Sequence, residues 1–277
     1  MNTILMLLII VVIIYLLIKE KMTEVFKTFF IAIIVAIFLR SFAYEPFKIP
    51  SGSMKPNLLV GDFLFVSKFS YGYSKYSVPF GRYIPLDGRL FFRQPKRGDV
   101  AVFKFPGDNK TDYIKRIIGL PGDQVKIEDG IVFVNEKKLL RNNKGIFEDM
   151  HRHGYPEKFN LIEEENSAGK KYFVLDDMSF DGVINSSDSN NFLDVNNTKN
   201  YTVPNNHYFV MGDNREHSSD SRILSHVGYV PKDNLVGKAA LIFLSIESSN
   251  KSLSILGVNL LKIPKSIRIN RIGNLLN

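Results

Sequence analysis

Two apolar runs within the first 43 residues restrict this chain more than any later feature. Residues 4–18 are unbroken in their apolar character, and residues 25–39 are interrupted only by Lys27 and Thr28, near the start, where a lysine can snorkel. Neither run has a polar face, so neither suits the surface of a water-soluble domain. A helix from Met1 to Ile18 rises about 27 Å at 1.5 Å per residue, just short of a bilayer core of about 30 Å. A cleaved secretion signal fits less well, because no basic residue precedes the first run and no small-x-small pattern precedes Lys19. The pattern predicts a membrane anchor over residues 1–43 with two transmembrane helices. The loop 19–27 carries Lys19, Lys21 and Lys27, which puts it in the cytoplasm and everything after Leu39 on the opposite side. Arg40 pulls mildly the other way, and a single-span variant leaves the bulk of the chain on the same side.

About 32 of the first 43 residues are apolar, which leaves an ordinary soluble fraction of about 40% for residues 44–277. That part is long enough for a core without staples, and it has none: the chain lacks cysteine, which excludes a disulfide framework, a thiolate metal site and a cysteine nucleophile. The net charge of +8 comes with no compact Lys/Arg block or nucleic-acid motif, and an anionic membrane attracts the same charge, so no nucleic-acid partner is expected. Short runs punctuated by Gly, Pro, Asp and Asn predict strands over 63–67, 100–105, 113–118, 124–127, 131–134, 171–175, 207–211 and 238–245. Asp129-Gly130 signals a hairpin turn and Pro121-Gly122 another turn. Residues 142–200, rich in Asn, Asp, Ser and Glu, read as an insertion with two strand-like islands. In the tail, Lys262, Lys265, Arg268 and Arg271 recur beside Ile and Leu as in a basic amphipathic segment, read equally as a C-terminal surface helix or as a membrane contact.

Three stretches carry chemistry. In Ile49-Pro50-Ser51-Gly52-Ser53-Met54-Lys55-Pro56, a serine on a rigid bend is either a plain turn or a nucleophile, with the Ser53 N–H and Ser51 hydroxyl converging on an oxyanion. In the stretch from Tyr113 to Asp123, strand alternation puts Tyr113, Lys115 and Ile117 on one face and Arg116 on the other. Lys115 is a surface lysine or a desolvated base. At the ordinary lysine pKa of about 10.4 only about one lysine in a thousand is neutral near pH 7.4, so a lysine base must be depressed by burial. In the stretch from Met211 to Arg222, small polar groups follow an apolar strand. There Asp220 or Asp213 could pair with Arg222, and Ser218 could orient a neighbouring amine.

These stretches, in this order, with Arg97-Gly98-Asp99-Val100-Ala101-Val102-Phe103 between the first two, resemble the boxes of bacterial type I signal peptidases, the leader peptidases. The final Ile267-Arg268-Ile269-Asn270-Arg271-Ile272-Gly273 is similar to that family's C-terminal end. The resemblance implies a mostly β, signal-peptidase-like catalytic domain over 44–277 with an inserted β-rich region at about 124–202. It implies that Ser53 is the nucleophile, Lys115 the general base, Ser51 an oxyanion-hole hydroxyl beside the Ser53 N–H, and Ser218 the group that orients the lysine. Asp220 and Arg222 then form a structural salt bridge, and Met54 lines the substrate site. The implied reaction needs no metal or cofactor and cuts secretory precursors after small-x-small sites such as Ala-x-Ala. It takes place on the extracytoplasmic side of a bacterial inner membrane, in a multi-pass protein bound to the lipid bilayer with no obligate protein partner.

Asn57 stands where the family often has Thr, and Glu216 and His217 replace a common Asp-Asn pair. Some relatives carry a disulfide in the inserted region; this chain cannot, so packing must hold it. Three rivals stay open: a Ser-His-Asp hydrolase drawing on His207, His217 or His226, a metal site at His151 and His153, and a catalytically inactive membrane-anchored relative that binds precursors or partners.

Overall fold

The computed structural model describes residues 15, 24–78, 81–83, 87–150, 156–177, 183–185, 192–255 and 258–276. All of the run 4–18 but Tyr15, most of the loop 19–27, and the pair His151 and His153 lie outside the described residues. The chain divides into two units, Met1–Tyr44 and Glu45–Asn277.

In the first unit, helix α1 (Glu24–Phe38) continues into a π-helical turn, Leu39–Ala43. Phe26–Ala43 makes an 18-residue stretch of mean hydropathy 2.0, long and apolar enough to cross a membrane. Its large side chains, among them Phe29, Ile37 and Phe38, are exposed, which no helix in water sustains over such a length. One such helix is present among the described residues.

The second unit is built of strands. The first four are β1 (Tyr44–Lys48), β2 (Asp62–Ser67), β3 (Val100–Lys104) and β4 (Asp112–Gly119). Then come β5 (Gln124–Glu128), β6 (Ile131–Val134), β7 (Lys137–Lys138), β8 (Leu140–Met150), β9 (Pro156–Glu165) and β10 (Lys171–Asp177). The short β11 (Val183–Asn185), β12 (Phe192–Asp194) and β13 (Tyr201–Thr202) precede β14 (His207–Met211) and β15 (Val230–Pro231). The last two are β16 (Leu235–Ile255) and β17 (Val258–Ile267).

The main sheet runs β1-β2-β16-β3-β4-β14-β15, with β17 paired to β16. In it β2, β16, β3, β4 and β14 pair antiparallel, and Lys115 lies opposite Ala101 in the β3–β4 register. Ile114 through Gly119 are buried without a break, so β4 is covered on both faces. Two cations of β4, Lys115 and Arg116, therefore sit inside the protein on opposite faces of one strand.

Between β4 and β14 lie the sheets β13-β5-β6-β7, β10-β9-β8 and the pair β11-β12. The turn into β6 has φ of 47° at Asp129 and 72° at Gly130, the left-handed pair that a two-residue hairpin needs. Gly122 (φ 87°) closes the other expected turn, with the Asp123 N–H donating to Leu120 O at 3.0 Å. The polar stretch 142–200 contains more strand than expected, since β8 and β9 form a long antiparallel pair.

The tail departs from its helical reading. It is strand β17 followed by a single 3-10 turn, Ile269–Arg271, rather than a helix. Arg271 Nη2 meets Asp62 Oδ2 at 2.6 Å, and Arg268 Nε donates to Ser245 Oγ at 2.7 Å. Asp62 is fully buried, and a buried carboxylate demands such partners; that demand turns the arginines inward. Leu276 is buried in the same apolar cluster as Ile49, Met54 and Leu58.

Candidate active site

The bend at Ser51–Ser53 is held from behind. Ile49 N–H donates to Asp62 O at 2.8 Å, Lys55 N–H closes a tight turn on Gly52 O at 3.1 Å, and Leu58 N–H reaches Met54 O at 2.9 Å. Met54 and Leu58 are wholly buried, so they root the bend in the core. Met54, expected to line the substrate site, is buried directly beneath the bend and supports it.

Lys115 projects from the middle of β4 to the bend, and its Nζ lies 2.6 Å from Ser53 Oγ. Both side chains are buried. Burial lowers the Lys115 pKa to about 8, against the attraction of Asp220 and Asp213 and with help from Arg222. Ser51 Oγ stands 3.4 Å from Ser53 Oγ, a long contact. Among the described residues the Ser53 N–H donates to no acceptor.

Asp220 and Arg222 do pair: Nε meets Oδ1 at 2.9 Å and Nη2 meets Oδ2 at 3.0 Å. Ser218 Oγ donates to Asp220 Oδ2 at 2.8 Å, as does the Gly212 N–H at 2.9 Å. Ser218, expected to orient the lysine, hydrogen-bonds to the carboxylate beside Lys115 rather than to its Nζ. The alternative partner Asp213 belongs to Arg116, with Nε–Oδ1 and Nη2–Oδ2 both at 2.7 Å. Both of these side chains are almost fully buried, and the Arg116 guanidinium also lies 4.0 Å from the centre of the Tyr172 ring.

The residues that depart from the family pattern all bind toward β10. Asn57 Nδ2 donates to Asp213 Oδ2 at 2.7 Å and to Phe173 O at 2.6 Å. Glu216 accepts the Asp177 N–H at 3.0 Å, and His217 Nε2 is 3.1 Å from Asp177 Oδ2. Burial raises the Glu216 pKa to about 7, against the bond from Asp177. Asn214, which the sequence did not single out, donates its backbone N–H to Ser53 O and its Nδ2 to Gly52 O, each at 3.1 Å. Its only sequence signal is its place in a box dense with polar groups.

The histidines of the rival hydrolase reading have other partners: His207 shares a hydrogen bond with Asn205 O, His217 with Asp177, and His226 lies 3.5 Å from the Tyr113 hydroxyl. The Ser53 hydroxyl is joined to Lys115 and Ser51. A serine whose hydroxyl faces a desolvated amine can lose its proton to that amine and attack a carbonyl carbon.

Residues 22–244 match the family model described as signal peptidase, peptidase S26. The chain is 38% identical to signal peptidase I of Rickettsia typhi over 252 residues, covering 89% of this chain and 91% of that one. Signal peptidase I of Rickettsia felis is also 38% identical, over 88% of this chain and 90% of its own length. A solved signal peptidase I from Enterococcus faecalis, 23% identical, aligns with 53% of this chain and 97% of its own at a TM-score of 0.29.

Proposed function

Because the chain belongs to the signal peptidase family, peptidase S26, whose members cleave signal peptides, we propose that Ser53 is the nucleophile of that cleavage and Lys115 its general base. One observation carries this assignment: the 2.6 Å contact between a buried lysine amine and a buried serine hydroxyl. Neutral Lys115 takes the Ser53 proton as Oγ attacks the scissile carbonyl. The Ser53 N–H and Ser51 hydroxyl receive the oxyanion, Lys115 returns the proton to the leaving amine, and a water activated by Lys115 releases the acyl-enzyme. Asp220, fixed by Arg222, Gly212 and Ser218, keeps the loop beside Lys115 in place.

The substrates are secretory precursors, cut after small residues at the first and third positions before the bond. The apolar helix, with the first apolar run as a second span, holds the catalytic unit on the extracytoplasmic face of a bacterial membrane, where a translocated precursor presents its cleavage site. Mass spectrometry of a precursor cleaved by the detergent-solubilised protein checks this specificity: the new N-terminus is expected to follow a small-x-small site, and cuts after bulky residues would refute it.

With Lys115 titrating near 8, about one lysine in ten is neutral at pH 7, compared with about one in three thousand at the ordinary lysine value of 10.5. Since the neutral amine is the active form, kcat/KM is expected to rise about tenfold per pH unit below that pKa and to level off above it. The pH profile of Glu216→Gln separates the two titrating groups. Its acid limb keeps the Lys115 midpoint if the assignment holds, and loses it if Glu216 sets the profile.

A further inference from the structure

We propose that Asn214 is a positioning residue for the oxyanion hole, acting through the Gly52–Ser53 peptide unit. The inference rests on the assignment of Ser53 above and adds a residue to it. The C=O of Gly52 and the N–H of Ser53 belong to one peptide plane and, in a trans peptide, point in opposite directions. A group that holds the carbonyl oxygen thereby aims the N–H. Gly52 O accepts two donors: the Lys55 N–H, which is intrinsic to the turn, and Asn214 Nδ2 at 3.1 Å, which comes from 162 residues away. The next carbonyl, Ser53 O, accepts the Asn214 backbone N–H at 3.1 Å. One residue thus holds two consecutive carbonyls of the bend, while the N–H between them is left without an acceptor among the described residues.

Asn214 is itself held firmly. It forms a parallel bridge with Leu175 of β10, in which Leu175 N–H donates to Asp213 O at 2.8 Å and Arg215 N–H donates to Leu175 O at 3.1 Å. Its side chain is almost fully buried, so the amide is not exchanged for water. Gly212 completes the fit: a Cβ there would stand 2.6 Å from Ser53 O, so glycine lets the bend approach this closely. Donation to Gly52 O also polarises the peptide and strengthens its N–H as a donor, which matters when negative charge develops on the substrate oxygen.

The test compares full-length wild type with Asn214→Ala and Asn214→Asp, alongside Ser53→Ala and Lys115→Ala. Both Asn214 variants are expected to lose about tenfold to a hundredfold in kcat, less than the loss of a whole oxyanion-hole donor, with KM unchanged and, in the uncharged Asn214→Ala, the acid-limb midpoint unchanged as well. A peptide aldehyde, whose adduct with Ser53 carries the oxyanion, is expected to bind more weakly by the same factor, while the matching cleaved peptide binds as to wild type. A purely structural role would weaken both ligands together. Should Asn214→Ala not fold, Asn214→Ser, too short to reach Gly52 O, takes its place. Wild-type kcat in the Asn214 variants, with Ser53→Ala and Lys115→Ala inactive, overturns this inference alone; activity in Ser53→Ala overturns the dyad beneath it.

Discussion

Ser53→Ala is expected to abolish precursor cleavage, with a loss in kcat on the order of 10⁶, as when the nucleophile of another serine protease is removed. Lys115→Ala is expected to be as inactive, because among the described residues no other base touches the Ser53 hydroxyl: its partners there are Lys115 Nζ and Ser51 Oγ. Lys115→Arg discriminates further. A guanidinium keeps the charge and the reach but stays protonated at any working pH, so it cannot accept the serine proton. The readout is conversion of a secretory precursor in detergent, followed by gel and mass spectrometry over several hours. Full conversion by Ser53→Ala would end the dyad assignment.

The second large effect is on stability. Asp213→Ala leaves the Arg116 guanidinium buried without its carboxylate, which is expected to cost about 3–5 kcal/mol, or on the order of 10 °C in midpoint for a unit of this size. Arg116→Met strands Asp213 in the same way. Replacing both, as Arg116→Met with Asp213→Leu, removes the stranded charge and is expected to recover much of the loss. Thermal unfolding followed by circular dichroism decides: if the double variant is less stable than either single one, the pair is not acting as a buried ion pair.

How much of this could be read beforehand depends on which force sets each element. Strand β4 was legible because alternation assigns faces, and the structure puts Lys115 toward Ser53 and Arg116 toward Asp213 as that alternation requires. The hairpin turns were legible from residues that tolerate positive φ. Strand β9 was not, because it carries its own buried carboxylate. Glu164 is fully buried and is held by Arg215 through Nη1–Oε1 at 2.7 Å, so a position that patterning reads as solvent-facing lies inside. The helical reading of the tail failed for a related reason: Arg268 and Arg271 look like the polar stripe of a helix until Asp62, more than 200 residues earlier, is known to be buried beside them. The residues alone left Asp220 and Asp213 both open as the partner of Arg222; the family resemblance implied Asp220, and that is the pair formed.

The same tail has a consequence in time. Asn57 O, close behind the bend, accepts Arg271 Nη2 at 2.8 Å, and Leu276 packs in the cluster that roots Met54. Strand β2, which follows the bend, takes β16 as its neighbour on the inner side. On a ribosome adding about 5–20 residues per second, these partners emerge roughly 10–40 s after the serine. The setting of Ser53 therefore cannot close, and a nascent enzyme is without its finished site, until residues near 276 have been made.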